Sequence, residues 1–266
     1  MYASIELNAT DKVPFSAYAE RTWGKYNNVD FSKLSEELRS KYILLKNPKA
    51  PTPGRYTLIF DPKFMESLFY SIFVPALNFK NLSTNRSFLS GKLNQNVFSE
   101  LLTVESNPFI DYFSASALLD RYGSKTTRKY LFESGVFSSY LSDLQSAGEF
   151  NGQNTGNWFY EIAPDNLIIP AGSTSVDALL ADVKQGIYVY SALGVHTADY
   201  SSGNLSIAVD SGWMVRNGEY VGAIKDANIA INVLDLFSNL YAKSKERVDT
   251  NTAILPTLFF ESIALA

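Results

Sequence analysis

The stretch Pro53-Gly54-Arg55-Tyr56-Thr57-Leu58-Ile59-Phe60-Asp61-Pro62, continued by Lys63-Phe64-Met65-Glu66-Ser67-Leu68-Phe69-Tyr70-Ser71-Ile72-Phe73-Val74-Pro75, decides how this chain is read. Residues 56–60 form a short apolar run closed by Asp61-Pro62, the pattern of a strand ended by a turn. Over 63–73 the spacing changes. Phe64, Leu68 and Ile72 fall four apart, which predicts a helix with an apolar stripe. Pro75 has no N–H to continue the ladder, so the helix is expected to stop before it.

Upstream, Pro48, Pro51, Pro53 and Gly54 make the best linker in the chain, separating residues 1–50 from 51–266. Residues 2–9 and 13–22 alternate apolar and polar side chains and predict two strands paired across Thr10-Asp11-Lys12. Asp30 is placed to cap a helix to about residue 44 through Phe31, Leu34, Leu38 and Tyr42. Downstream, 83–95 is polar without a clean period, and 129–132 with 136–141 flank Glu133-Ser134-Gly135 as a hairpin. A loop is expected at 151–158 and a strand at 166–169. Ser175 should cap a helix that closes at Gly186. Strands follow at 187–191, 204–209, 212–216 and 220–223, with Asn217-Gly218 as a turn of the I′ type. Residues 227–240 are apolar at helical spacing through Ile231, Leu234 and Phe237, and 257–265 reads as a closing strand. The expected class is α+β, a β-rich body with a few surface helices.

Composition narrows the function. Apolar residues make up 46%, with 18 Phe and 16 Tyr, ample for a packed core. Basic residues number 23 and acidic 27, a net charge of −4. The densest basic patch, Lys243-Ser244-Lys245-Glu246-Arg247, reads as a solvated helix end, so nucleic acid is not expected as a partner. With no cysteine there is no disulfide framework and no thiolate chemistry. The N-terminus lacks a signal-peptide pattern. The most apolar windows, 64–77 and 253–266, fall short of the roughly 20 residues that span a bilayer. A soluble, cytoplasmic protein with no membrane partner is expected.

Further stretches, in order along the chain, carry a resemblance. They are Thr126-Thr127-Arg128-Lys129-Tyr130-Leu131-Phe132-Glu133-Ser134-Gly135-Val136, then Thr155-Gly156-Asn157, and Gly194-Val195-His196-Thr197 with Asp199-Tyr200-Ser201-Ser202-Gly203-Asn204-Leu205-Ser206. Gly212, Asn217-Gly218-Glu219 and Leu255-Pro256-Thr257-Leu258-Phe259-Phe260 complete the set. With 53–62 they resemble the C-terminal part of the TldD/PmbA (TldE) family, also called peptidase U62 or modulator of DNA gyrase, from about Pro51 onward. Each motif is weak alone, and their order is specific.

The resemblance implies a TldD/PmbA-type C-terminal domain over 51–266, preceded at 1–50 by a remnant resembling the end of the family's N-terminal α/β domain. It also implies a two-component peptidase, a zinc-bearing protease subunit with a metal-free partner. The protease subunits carry His-Glu-x-x-x-His on the helix after the first strand, and a late Cys ligand. Laid from Asp61-Pro62, that motif falls on Tyr70, Ser71 and Pro75. A catalytic zinc takes about three His, Cys or carboxylate ligands, and this chain has one histidine and no cysteine. The expectation is a non-catalytic TldE/PmbA-like subunit with no metal or cofactor of its own. Zinc would sit in a TldD-like partner that cleaves peptide substrates, and expressed alone this chain would pair with itself.

His196, Thr197, Asp199, Tyr200 and Ser201 form the candidate peptide-facing loop, since both kinds of subunit resemble this stretch. With Ser202 and Asp210 it also holds the inventory of a Ser-His-Asp site, although a triad is recognised by mutual hydrogen bonds. A self-sufficient Ser/His hydrolase therefore stands as one alternative, and a structural or binding protein without a link to proteolysis as another. The aromatic stripe of the 63–73 helix reads as core packing, or, for Tyr70 and Phe73, as a seal over a vacated metal cavity. Tyr112, Phe113, Trp158 and Phe159 are either core or a partner surface.

Overall fold

The computed structural model describes residues 2–9, 15–22, 31–32, 35–36, 38–39, 50–224, 227–250 and 252–265. Strands β1 (Tyr2–Ala9) and β2 (Phe15–Thr22) pair antiparallel, Tyr2 opposite Thr22, as their alternation predicts. The turn at 10–12 lies outside the described residues, as do Asp30, Leu34, Tyr42 and the end of the helix expected there. Phe31, Ser32, Ser35, Glu36, Leu38 and Arg39 are helical.

The body is α+β, built on an 11-stranded mixed sheet. Its strands are β3 (Gly54–Phe60), β4 (Val104–Asn107), β5 (Lys129–Glu133), β6 (Val136–Phe137), β7 (Asn166–Ile168), β8 (Gln185–Leu193), β9 (Asn204–Arg216), β10 (Glu219–Ala223), β11 (Asn228–Asn232), β12 (Leu240–Asp249) and β13 (Ala253–Leu265). The main path runs β10-β9-β8-β3-β13-β7-β4-β5-β6, with β11 on β9 and β12 on β13. β3 with β8 and β7 with β13 are parallel, and the remaining pairs are antiparallel.

Side chains alternate across a strand, and here both faces are covered. Leu58 and Phe60 of β3, Ile187 and Val189 of β8, and Leu258 and Phe260 of β13 enter the main core. Their neighbours Ile59, Tyr188, Tyr190 and Phe259 join Trp213 and Val215 of β9 in a second core. Leu180 of the short helix Val176–Ala181 closes that second core. Burial on both faces explains why 56–60 reads as a continuous apolar run.

The helix after β3 is longer than expected. It runs as α1 (Pro62–Leu68), a π turn (Phe69–Phe73) and α2 (Val74–Leu77). Pro75 sits in the first turn of α2 and does not end the helix. A first-turn proline loses little, and the widened turn before it takes the strain that a proline ring places on the preceding carbonyls. The helix stops at Asn78, whose backbone is extended and whose side chain accepts from Lys80 N at 3.0 Å to start α3 (Phe79–Ser83).

Other expectations change as well. Residues 227–240 divide into β11 and a short helix (Val233–Ser238), because Ile229 and Ile231 pair with Ile207 and Leu205 at strand spacing. Residues 204–216 form one strand, and the break expected at Asp210-Ser211 is a register irregularity against β8. Gly212 stands there because a Cβ would meet Tyr188 O at 2.4 Å. Lys243-Ser244-Lys245-Glu246-Arg247 lies in β12, with Lys245, Glu246 and Arg247 exposed. The helix capped by Ser175 ends at Ala181, and Gly186 belongs to β8. The hairpin across Glu133-Ser134-Gly135 forms, but its second strand ends at Phe137 and not at 141, while the Asn217-Gly218 turn (φ 48° and 83°) is as predicted. No helix among the described residues is long and apolar enough to cross a membrane.

Candidate functional site

The α1–π–α2 helix is gripped almost all round. Phe64, Met65, Leu68, Phe69, Ile72, Phe73, Val74, Ala76 and Leu77 are buried. Phe73 lies among Phe69, Phe88, Phe98, Phe132 and Phe237, ring centroids 5.0–6.1 Å away. Asp61 fixes its start: Oδ1 accepts from Lys63 N at 2.9 Å, and Oδ2 accepts from the Tyr188 hydroxyl at 2.7 Å. Burial, aided by the Asp61 charge, raises the Tyr188 phenol well above its ordinary range.

Only one stripe of this helix stays open, formed by Lys63, Glu66, Ser67, Tyr70, Ser71 and Pro75. The three positions on which the protease motif falls are all in it. Residues five apart diverge by about 140° on an α-helix, but the Val74 N–H bonds back to Phe69 O, five residues earlier. That wide turn brings Tyr70 and Pro75 toward one side. The backbone thus has the geometry that a His-x-x-x-x-His pair needs, and the side chains are a phenol, a hydroxyl and a proline ring.

Beside the stripe lies a cavity of about 240 Å³. Tyr70 and Thr252 line it with Ala115, Ala117, Phe159 and Ala163. The Thr252 hydroxyl is hydrogen-bonded to Glu66. Burial raises the Tyr70 phenol pKa far above its usual range, and the charges of Glu66, Asp165 and Glu161 raise it further. Tyr70 therefore walls this space without filling it, and Phe73 belongs to the core; the two do not form a common seal.

A buried polar network stands behind the cavity. Asp165 Oδ2 accepts from Ser106 Oγ at 3.0 Å and lies 3.9 Å from Lys129 Nζ. Lys129 donates to Asn157 Oδ1 at 2.7 Å and to Thr155 O at 3.0 Å, and Asn157 Nδ2 donates to Ala163 O at 3.0 Å. Burial pushes the Asp165 carboxyl up to about 6, against the pull of Lys129 and the Ser106 hydrogen bond. It pushes Lys129 down to about 8, against the opposite pull of Asp165. Lys129, Thr155 and Asn157 lie in the stretches that carry the resemblance, and nothing in their spacing predicts that they meet.

The candidate loop lies elsewhere on the same helix. A 3₁₀ turn (Val195–Thr197) packs against the π turn, with Val195 in the core and His196 and Thr197 exposed. Tyr200 is half-buried, and its carbonyl accepts from Phe88 N at 3.1 Å. Asp199 accepts from Ser201 N at 2.8 Å and Ser202 Oγ at 2.7 Å, and Asp210 accepts from Ser191 Oγ at 3.1 Å. Among the described residues no hydrogen bond joins His196 to a serine or an aspartate. Of the four aromatics considered for a partner surface, Tyr112 is exposed, while Phe113, Trp158 and Phe159 are half-buried.

Residues 53–266 match the family model described as the PmbA/TldA metallopeptidase C-terminal domain. The chain belongs to this family. It is 27% identical over 237 residues to a metalloprotease of Methanocaldococcus jannaschii, covering 86% of this chain and 52% of that protein. It spans about half the length of the curated relatives it matches. A Thermotoga maritima structure, described as a modulator of a DNA gyrase, superposes with TM-score 0.91 at 25% identity over 100% of this chain and 62% of that one. TldE from Thermococcus kodakarensis shares the fold, with TM-score 0.89 at 23% identity over 100% of this chain and 62% of its own.

A metallopeptidase family implies a metal, and this donor set does not fit one. Tyr70, Ser71 and Pro75 offer no imidazole, thiolate or carboxylate. Among the described residues no group of three or more His, Cys, Asp or Glu is placed to share an ion.

Proposed function

We propose that this chain is a non-catalytic, TldE/PmbA-like subunit of a zinc-dependent peptidase complex that acts on peptides in the cytoplasm, the zinc being held by a TldD-like protease subunit. The observation that carries this reading is the open stripe. Its wide turn is suited to a pair of ligands five residues apart, yet Tyr70, Ser71 and Pro75 stand at the motif positions. With one histidine and no cysteine in the chain, a site of about three such ligands has no source for them. Residues 51–266 supply the C-terminal-type domain in this reading, and 1–50 a remnant of the unit before it. The chain's own residues bind and position. A helix locked by Asp61 and the Phe73 cluster holds Tyr70 and Glu66 at a fixed face, and a strand-rich body can take an extended peptide through main-chain bonds.

Co-expression with a TldD-like relative tests the proposal. Each chain alone should leave peptides intact, and together they should cleave them and co-elute, through an interface of roughly 2,000 Å² or more. Elemental analysis should find zinc with the relative and none held by this chain. Expressed alone, this chain should self-associate through the same face. Unaided cleavage by this chain, or full activity of a relative that never co-elutes with it, overturns the proposal.

A further inference from the structure

We propose that the cavity beside Tyr70 is a specificity pocket that takes one leucine-sized aliphatic side chain of a peptide and rejects acidic ones. The biological setting rests on the peptidase-subunit reading; the pocket's size and lining do not.

Size comes first. About 240 Å³ is below the roughly 300–1,000 Å³ of sites for drug-sized molecules. It exceeds the roughly 150 Å³ of an apolar cavity that accepts benzene. The space suits a single side chain. Chemistry narrows it further, because Ala115, Ala117, Ala163 and the Phe159 ring present methyl and ring surface, with polar atoms supplied by Tyr70, Ser114 and Thr252. An aliphatic group gives up no hydrogen bonds on entering, whereas a carboxylate would be stripped of water there. The charges agree with this. Glu66, Glu161 and Asp165 all act on the Tyr70 hydroxyl, each opposing a further negative charge beside it.

The pocket is also built in advance. One of its loops is tied by Asp120, whose Oδ1 accepts from Tyr122 N and Ser124 N at 2.9 Å and whose Oδ2 accepts from Trp158 N at 3.4 Å. Tyr122 stacks on Trp158 at 5.5 Å, and the Arg121 guanidinium lies 3.3 Å from the Tyr160 ring centroid. These contacts join the two loops to each other. Asn157 closes the second loop, donating to Ala163 O and accepting at its own carbonyl from Ala163 N at 3.1 Å. Tyr112 (φ 67°) and Tyr160 (φ 89°), one in each loop, hold a left-handed backbone that bulky residues rarely adopt. Such strain persists only where the surroundings enforce it, and ligand clamps are a common place. Both tyrosines are exposed, as is Leu118, so large apolar side chains stand in the loops that form the pocket.

The test uses the full chain with ¹³C-methyl-labelled alanine. Acetyl-Ala-Ala-Leu-Ala-Ala-amide should shift the Ala115, Ala117 and Ala163 methyl signals saturably, and the same peptide with a central Asp should bind about tenfold more weakly or worse. Ala163→Leu and Ala115→Leu each fill the pocket and should abolish the Leu preference while far-UV circular dichroism stays native. If either variant misfolds, the Leu and Asp peptides on the unaltered chain still decide the matter. Equal affinity for the two peptides, or an unchanged Leu preference in a folded filled variant, overturns the proposal. Binding is measured without any partner. A chain that discriminates Leu from Asp but activates no protease sinks only the subunit reading, and one that activates without discriminating sinks only the pocket.

Discussion

Asp165 and Asp199 both accept a serine hydroxyl, in opposite settings. Asp165 is fully buried between its Ser106 bond and Lys129, and desolvation outweighs both, holding its carboxyl up near 6. Asp199 lies at the surface beside the His196 turn, where hydrogen bonds from Ser202 and Ser201 hold its carboxyl below the ordinary value. Along the chain, Asp199 keeps the company of a reaction centre and Asp165 keeps none. In space Asp165 ties its own segment to Ser106 of β4 beside Lys129 of β5, near the Tyr70 cavity, and Asp199 shapes a turn. What an acidic residue does is set by what surrounds it, and neighbours in sequence are a poor guide to that.

The contrast breaks first at Lys129. Lys129→Met leaves Asp165 buried without its cation and Asn157 Oδ1 without its charged donor, and losing one member of a buried pair costs about 3–5 kcal/mol. Urea unfolding should show a loss on that scale, and adding Asp165→Asn should restore part of it by removing the remaining uncompensated charge. A loss below about 1 kcal/mol for Lys129→Met would place the pair among weak surface contacts.

Next comes pH. The folded-state pKa of Asp165 lies above its ordinary 3.8, at about 6. Protonation therefore favours the folded state, and this contribution is fully present below about 3.8 and lost as pH rises through about 6. For Lys129, lowered from 10.5 to about 8, the contribution is present above about 10.5 and lost as pH falls through about 8. Between 6 and 8 neither is present. Compared with Asp165→Asn, the unaltered chain should gain stability as pH drops from 7 to 4. Parallel curves for the two would show that Asp165 titrates normally.

A smaller effect is expected at Asp199. Asp199→Ala removes the acceptor for Ser201 N and Ser202 Oγ at an exposed turn, so the loss should be about 1 kcal/mol or less. Its pH profile between 4 and 7 should match that of the unaltered chain. A loss as large as that of Lys129→Met would mean the turn carries tertiary structure and not only its own shape.

The fold was legible where one local signal ruled. Alternation marked β1 and β2, Asn217-Gly218 marked its turn, and the Asp61-Pro62 boundary marked the strand and the helix start. Legibility failed where two signals overlapped. Residues 227–240 satisfy helical spacing through Ile231, Leu234 and Phe237, while pairing to β9 claims Ile229 and Ile231 for a strand. Pro75 misled because the rule that proline breaks helices assumes an α-helical turn before it, and here that turn is π. Of the site, Tyr70, Ser71 and Pro75 were reachable through the resemblance. The cavity was not, since Tyr70, Ala115, Ala163 and Thr252 are scattered along the chain and no period links them.

The smallest effect, and the sharpest test of the contrast, is His196→Ala. The imidazole is exposed and has no hydrogen bond to a serine or an aspartate among the described residues, so stability should change by no more than about 0.5 kcal/mol. If zinc-activated water in the partner carries the chemistry, peptide cleavage by the reconstituted pair should stay within a few-fold. Removing a triad member costs on the order of 10³ or more, so the two readings differ by a margin no assay could miss. A drop of that size would move the chemistry from the partner's zinc to the His196 turn of this chain, with Asp199 acting as more than a turn former. An intermediate drop in affinity for peptide alone, with turnover unchanged, would instead mark the 195–201 turn as a peptide contact.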